Sequence, residues 1–228
     1  MTDAAQILEQ QSIVEITSEA ELRELLGTPM ERTIKKERRS LHAHDRAWIA
    51  ASPFCLIATA SPDGTCDVSP KGDPAGFALV LDDTTLAIPD RPGNRRADGF
   101  ANVLANPHVG VLFLVPGREE TLRVNGRARL VREAAPREAG ERGQRTLFDE
   151  MVVKGHRPTL ALIVDIEQVF FHCAKAFKRG SLWRPETWGD PAALASMACI
   201  VKDTIDTPET LSELEEYYGE AYEKRLYA

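Results

Sequence analysis

Residues 85–114, TLAIPDRPGNRRADGFANVLANPHVGVLFL, decide what kind of fold the sequence specifies. An apolar run of strand character leads into a loop that contains Pro, Gly and Asn. A segment with helical spacing follows, and Asn106-Pro107 ends it, after which VGVLFL returns to strand character. The stretch therefore predicts a strand, a tight loop, a helix over about 95–106 and a further strand.

Strand patterns continue on both sides of this stretch. FCLIATA is a continuous apolar run, SPDG marks a turn and TCDVSPK alternates, which together predict a hairpin. Adding FALVL, TTLAIP, VGVLFLV and TLRVNGRARLV gives six strands joined mostly by short turns. We therefore predict a mainly β protein of the α+β class, a six-stranded antiparallel barrel or sandwich with flanking helices. The later run LALIVDIEQVFFH also has strand character.

Helices are predicted on either side of the strands. Ser18-Glu19-Ala20-Glu21 has the spacing of a capping box and Gly27 stands where a helix ends, which predicts a helix over 19–26. Further helices are predicted over about 44–51, 137–150, 191–202 and 209–225. The chain is thus expected to have a helical lead-in over 1–52, a β domain over 53–184 and a helical acidic extension over 185–228.

The distribution of charge argues against a nucleic-acid partner. The formal net charge is −7, and residues 203–228 carry eight acidic residues against Lys224 and Arg225. Only the stretch 32–46 is locally basic, and a solvated helix face explains it more simply than a nucleic-acid surface does. We expect no nucleic-acid partner.

Other classes of protein are also disfavoured by the sequence. No apolar run reaches the roughly 18 residues that a membrane span needs, and the first ten residues lack the order of a secretory signal, so no membrane association and a cytoplasmic location are expected. The four cysteines form no CxxC pair and are expected to be reduced and mostly packed. The five histidines show no recognised zinc spacing, so no metal site is expected.

The loop Asp90-Arg91-Pro92-Gly93-Asn94-Arg95-Arg96 is the strongest candidate for chemistry. It leaves a strand and opens a helix, and a helix N-terminus presents unpaired backbone N–H groups that bind anions. Three arginines at such a place suggest a phosphate site. An exposed turn with ordinary surface arginines explains the same spacing equally well.

Polar residues also alternate along two of the predicted strands. Arg123, Asn125, Arg127 and Arg129 share one side of TLRVNGRARL, and Asp67, Ser69 and Lys71 share one side of TCDVSPK. Solvated outer faces explain either pattern, whereas a polar ligand groove between strands explains both together.

At this point the sequence resembles a known family. The succession CDVSPKGD, LAIPDRPGNRR, a helix ending in ANP, VGVLFL and TLRVNGRARLV resembles the core of the pyridoxamine 5′-phosphate oxidase-like flavin-binding family over about residues 50–131. FFHCAKAFKRGSLW resembles the closing strand region of one branch of it. The resemblance implies a split β-barrel that binds flavin mononucleotide (FMN) between two copies of the chain.

The resemblance also assigns roles to residues. It implies that basic residues at the end of the second strand and at the start of the helix hold the flavin phosphate, and that the strand before the loop lines the flavin ring. It implies a further polar contact, Arg123, that reaches the ring from the dimer partner. The implied cofactor contacts are Ser69, Lys71, Ile88, Pro89, Asp90, Arg91, Asn94, Arg95, Arg96 and Arg123.

The sequence departs from the true oxidases of this type. Their Arg-Pro-Arg-x-Ser-Gln and late Arg-Leu-His segments are absent, which argues against pyridoxamine phosphate as substrate. Lys175 and Arg179, together with Lys178 and Trp183, are candidates for a different set of cofactor or substrate contacts. A packed aromatic residue with solvated cations explains them as well.

Two functions from different classes follow. The first is an FMN-dependent oxidoreductase that acts on a small molecule. The second is a binding module without turnover that stores or senses flavin, or that holds haem or a deazaflavin instead. For either function the expected assembly is a homodimer with the flavin at its interface.

Overall fold

The computed structural model describes residues 13–134 and 145–227, and contacts group the chain into two units, residues 1–37 and 38–228. The boundary at residue 37 falls inside the predicted lead-in, and the predicted three-part division stays a prediction. In the first unit, helices α1 (Glu19–Leu26) and α2 (Glu31–Lys35) bury no residue. Helix α1 has the predicted bounds: the Ser18 side chain accepts from the backbone N–H of Glu21, and Gly27 ends the helix with φ +72°.

The second unit is built on one antiparallel sheet. In chain order the strands are β1 (Phe54–Ala60), β2 (Cys66–Gly72), β3 (Leu79–Val80), β4 (Thr85–Pro89), β5 (His108–Leu114), β6 (Thr121–Val131) and β7 (Ala161–His172). Among the described residues these seven strands lie in the order β2-β1-β5-β6-β7-β4-β3. The fold is the predicted split β-barrel of the α+β class, with flanking helices.

The sheet has one strand more than the six predicted. The additional strand, β7, pairs with β6 on one side and with β4 on the other. The run over 160–172 showed strand character, but nothing local in the sequence indicates that it separates β4 from β6. Its position brings β3 and β4 into the same sheet as the β5–β6 hairpin.

The helices of the second unit flank this sheet. They are α3 (Ala43–Ala51), α4 (Asp98–Ala105), α5 (Leu147–Glu150), α6 (Lys175–Arg179), α7 (Met197–Thr204), α8 (Leu211–Tyr218) and α9 (Glu220–Lys224), with 3₁₀ turns at Pro185–Thr187 and Pro191–Ala193. The helix predicted over 191–202 begins later, and the one predicted over 209–225 is split at Gly219. Of the helix predicted over 137–150, residues 137–144 lie outside the described part.

The core fills the space between the sheet and the helices. Its largest fully buried side chains include Phe113, Leu86, Ile88, Leu122 and Ile49. Burying such apolar side chains contributes on the order of 1.5–3 kcal/mol each. The core thus holds β4 and β5 rigidly on either side of the loop and helix that connect them.

The cysteines are partly as expected. All four are free thiols, and burial raises the pKa of Cys55 to about 12. The expectation that most are packed was wrong, because Cys66 and Cys173 are exposed. Within the described residues, no three His, Cys, Asp or Glu side chains cluster as metal ligands would, and no helix is long and apolar enough to cross a membrane.

Candidate functional site

A cleft of about 920 Å³ lies beside β2. Small-molecule sites commonly occupy roughly 300–1,000 Å³, so the cleft is large enough for an extended ligand. Its walls come from β2, the loop over 90–97, the start of α4, and the segment that contains α9.

One face of β2 supplies three polar side chains to the cleft. Asp67, Ser69 and Lys71 are half-buried and alternate with exposed neighbours, and all three line the cleft. The prediction that they point together is confirmed. The Lys71 Nζ donates to Asp90 Oδ1 at 2.9 Å and lies 4.6 Å from the centre of the Phe100 ring.

The basic loop does not start the helix where the sequence predicted. Arg95 and Ala97 take the left-handed backbone conformation, with φ +62° and +57°, so α4 begins only at Asp98. An α-helix needs negative φ at successive residues, which moves the helix start three positions beyond the predicted Arg95. The predicted end of this helix before Asn106-Pro107 is confirmed.

The two adjacent arginines of the loop differ in their partners. The Arg96 Nε donates to Asp98 Oδ2 at 2.7 Å, and the Arg96 backbone N–H donates to Asn94 Oδ1 at 3.1 Å. Arg95 is exposed, lines the cleft, and makes no side-chain hydrogen bond or ion pair with the described part of the chain. The guanidinium group of Arg95 is therefore available to a ligand.

Arg91 has a different environment from the other loop arginines. Its Nε donates to Asp73, whose side chain is 1% exposed, and its Nη2 donates to the carbonyl oxygen of Met151 at 2.7 Å. Within the described residues its Nη1 is buried and has no partner. Arg91 thus ties the loop to the wall of the cleft, and only Nη1 is left for a ligand.

Sequence reasoning missed one wall of the cleft. Tyr222, Leu226 and Tyr227 line it, and the Tyr227 hydroxyl donates to the second oxygen of Asp73. This bond to Asp73 raises the pKa of Tyr227, because ionisation of the phenol would remove the hydrogen that it donates to the carboxylate. The acidic helical pattern of the region gave no signal that it would meet a loop more than a hundred residues earlier.

Of the remaining predicted cofactor contacts, only some line the cleft. Pro89 and Asp90 line the cleft, whereas Ile88 is buried in the core behind it, with 1% of its surface exposed. Arg123, Lys175 and Arg179 do not line the cleft of their own chain. In the neighbourhood of α6, Lys178 pairs with Glu119 at 3.2 Å and Trp183 Nε1 donates to the Arg118 carbonyl oxygen at 2.7 Å.

The two polar strand faces do not form one groove in a single chain. Arg123 lies opposite Leu112 on β5, Leu112 lies opposite Leu56 on β1, and these residues therefore share a face. Lys71 belongs to the other face, because its cross-strand row continues through Cys55 and Phe113. Further along β6, Asn125 Nδ2 donates to Gln168 Oε1 at 2.7 Å, so this part of the polar face is paired within the chain.

The sequence profile of the pyridoxamine 5′-phosphate oxidase family matches residues 41–173, which is more than half of the chain. The chain belongs to the pyridoxamine 5′-phosphate oxidase family. The matched residues run from the start of α3 to just beyond β7, so they include β2, the basic loop and α4.

Solved structures similar to this family member share little sequence with it. HupZ of Group A Streptococcus is 16% identical, with a TM-score of 0.43, over 57% of this chain and 93% of that one. An FMN-binding protein of Nostoc punctiforme related to pyridoxamine 5′-phosphate oxidase is 14% identical, with a TM-score of 0.36, over 56% and 78%. An F420 reductase is 16% identical, with a TM-score of 0.33, over 56% and 94%. Comparison with curated proteins gave no match.

Proposed function

We propose that this member of the pyridoxamine 5′-phosphate oxidase family binds FMN in the cleft and transfers a hydride or electrons between a reduced donor and a small acceptor. The observation that carries the proposal is the guanidinium group of Arg95, which lines the cleft and has no partner in the described residues. An unpaired cation on a loop next to a helix start is the arrangement that binds phosphate. The family match supports a flavin as the group that carries this phosphate.

The residues present fit FMN. The phosphate needs cationic donors. Arg95 supplies an unpaired guanidinium, and Lys71 donates one of its three ammonium hydrogens to Asp90 and keeps the others for a ligand. The buried Nη1 of Arg91 is a further donor without a partner in the described residues. The flavin ring needs apolar walls with some polar contacts, and the cleft offers Pro89, Phe100 and Tyr227 beside its charged groups.

Each part of the cleft then has a separate task. FMN, when bound, supplies the hydride and electron transfer chemistry, as cofactors generally do. Lys71 and Arg95 hold the phosphate, and the end of β4 orients the ring. Tyr227 and its neighbours on the C-terminal segment reduce the access of water from one side. The departures from the true oxidases leave the donor and the acceptor open.

An absorbance spectrum of the purified protein, followed by fluorescence titration with FMN and riboflavin, tests the binding step. We expect a flavin spectrum and tighter binding of FMN than of riboflavin, because only FMN carries the phosphate. A haem or deazaflavin band, or equal affinity for FMN and riboflavin, would contradict the proposal.

The transfer step is tested separately. Bound FMN is titrated with NADH and with NADPH in the absence of oxygen, and we expect one of them to bleach the flavin band. If the protein binds FMN but neither donor reduces it at a useful rate, the oxidoreductase half of the proposal is wrong for these donors. The binding module without turnover then becomes the better description.

A further inference from the structure

The charges that line the cleft form pairs, with one exception of each sign. The four acidic residues of the lining are Asp67, Asp73, Asp90 and Asp98, and the four basic residues are Lys71, Arg91, Arg95 and Arg96. Asp73 pairs with Arg91, Asp90 pairs with Lys71 at 2.9 Å, and Asp98 pairs with Arg96 at 2.7 Å. Asp67 and Arg95 remain.

Within the described residues, few groups stabilise the negative charge of Asp67. Among the described residues its one hydrogen bond comes from the Ser69 hydroxyl, at 2.8 Å to Oδ2, and no cation pairs with it. An ionised carboxylate accepts through two oxygens with about four lone-pair positions. Most of the accepting capacity of Asp67 therefore faces the cleft rather than another group of the chain.

The backbone around Asp67 makes room for this side chain. A Cβ atom on Gly99, in the first turn of α4, would lie 2.9 Å from Asp67 Oδ2 and 3.3 Å from Ser69 Oγ. A side chain at this position would have to displace the Asp67 carboxylate, which glycine leaves in place. On β2, Asp67 is four residues before Lys71 on the same face, which separates the two by about 13 Å along the strand.

We propose that Asp67 is a ligand-binding residue that accepts a hydrogen bond from an N–H or O–H group of the ligand, at the end of the cleft away from Lys71. The proposal rests on the proposed function and refines it. The cleft then selects an elongated ligand with an anionic group at the end near Lys71 and a hydrogen-bond donor at the other. In FMN the candidate donors are the imide N–H of the ring and the hydroxyl groups of the ribityl chain.

Ligand binding by Asp67 can be separated from a structural role. The carboxylate lies against the start of α4, where a negative charge also stabilises a helix. A purely structural role would lower the unfolding midpoint of the ligand-free protein in Asp67→Ala, and would change ligand affinity only as far as the fold is damaged. Ligand binding predicts the reverse pattern, with a large loss of affinity in a protein that remains folded.

The experiment measures dissociation constants for FMN and for riboflavin by quenching of flavin fluorescence. We expect Asp67→Ala to weaken both ligands by about tenfold or more and by the same factor, because the lost acceptor does not contact the phosphate. Asp67→Asn keeps one acceptor oxygen, and we expect it to lose less than Asp67→Ala. Asp165→Asn is the matched control, since Asp165 pairs with the exposed Arg129 and does not line the cleft.

An analogue identifies the donor. If the effect of Asp67→Ala disappears with 3-methyl-FMN, whose imide N–H is blocked, the donor is the ring; if the effect persists, the donor is a ribityl hydroxyl. Unchanged or tighter binding of FMN by Asp67→Ala would overturn the inference and leave the proposed function standing.

Failure of the proposed function gives a different result. A wild-type protein that binds no FMN contradicts the proposed function directly. The affinity of Asp67→Ala for a deazaflavin, which has the same imide, then decides the inference on its own. Binding of neither ligand by the wild-type protein overturns both.

Discussion

Arg95 and Arg96 are neighbours in the sequence, but their guanidinium groups are not equally available. Arg96 is paired with Asp98, while Arg95 has no partner in the described part of the chain. The sequence analysis predicted that both arginines lie in one basic loop and that both contact the phosphate. It could not rank them, because the ranking depends on the left-handed turn at Arg95 and Ala97, which brings Asp98 within reach of only one arginine.

We therefore expect Arg95→Ala to weaken FMN binding by about tenfold to a hundredfold, since a charge-assisted hydrogen bond contributes roughly 1.5–3 kcal/mol. Arg96→Ala should weaken it by only about threefold, because the Arg96 guanidinium already pairs with Asp98 and the two charges largely offset each other at a nearby phosphate. Fluorescence titrations of both variants provide the comparison, with Arg118→Ala as control, since Arg118 pairs with Glu120 and does not line the cleft. Riboflavin should be affected far less than FMN, and an equal loss of affinity for the two would show that the loop does not recognise phosphate.

At the scale of the elements, the sequence predicted strands well and their arrangement poorly. The glycine of the RVNG motif shows the difference: a Cβ atom on Gly126 would lie 2.1 Å from the carbonyl oxygen of Asp165, at the point where the β6–β7 register shifts. The RVNG motif was identified from its residues alone. The reason for its glycine is the close approach of Asp165, which lies on a strand about forty residues later. Local patterns fix a strand, whereas its partner depends on contacts that are distant in sequence.

The connection between β6 and β7 contains a charged cluster that local sequence patterns did not predict. Arg157 donates to Glu133 and, at 2.8 Å, to Asp149, which joins the end of β6 to the segment that carries α5. The bond from Arg157 lowers the pKa of Glu133. The backbone N–H of Thr146, followed by Arg157, lowers the pKa of Asp149.

This cluster should make stability depend on acidity in a known direction. Because both folded-state pKa values lie below their ordinary values of 4.5 and 3.8, the stabilisation is complete above about pH 5 and is lost as the pH falls through the folded-state values. Urea unfolding midpoints between pH 6 and pH 2 should fall less steeply in Arg157→Met than in the wild-type protein. Arg127→Met is the control, since its partner is His108 and not a carboxylate. If the urea midpoints of Arg157→Met and of the wild-type protein fall in parallel with pH, the cluster does not contribute to the pH dependence of stability.

At the scale of the whole molecule, one face of the sheet needs a partner. Leu56 and Leu112 on this face are only partly buried although they lie on central strands. Arg123 lies beside them, stacked on Phe170 at 4.2 Å, and its Nε is buried without a hydrogen-bond partner in the described residues. Partly exposed apolar residues on central strands indicate a surface that another molecule covers. A second copy of the chain, related by a two-fold axis, is the simplest cover.

We propose that the protein is a homodimer in which Arg123 of each chain contacts the flavin bound to the other, and mixed dimers test this directly. Arg95→Ala and Arg123→Ala should each weaken FMN binding when they are the only chain present. Unfolding the two variants together and refolding them produces mixed dimers with one wild-type site, formed by Arg95 of one chain and Arg123 of the other, so a fraction of the original high-affinity binding should return. Simple addition of the two variants' weak binding would mean that Arg123 acts within its own chain or not at all.

Dilution or denaturant should release the flavin together with the loss of the dimer. Light scattering that finds a flavin-saturated monomer at micromolar concentration would contradict the dimer and the assignment of Arg123 together.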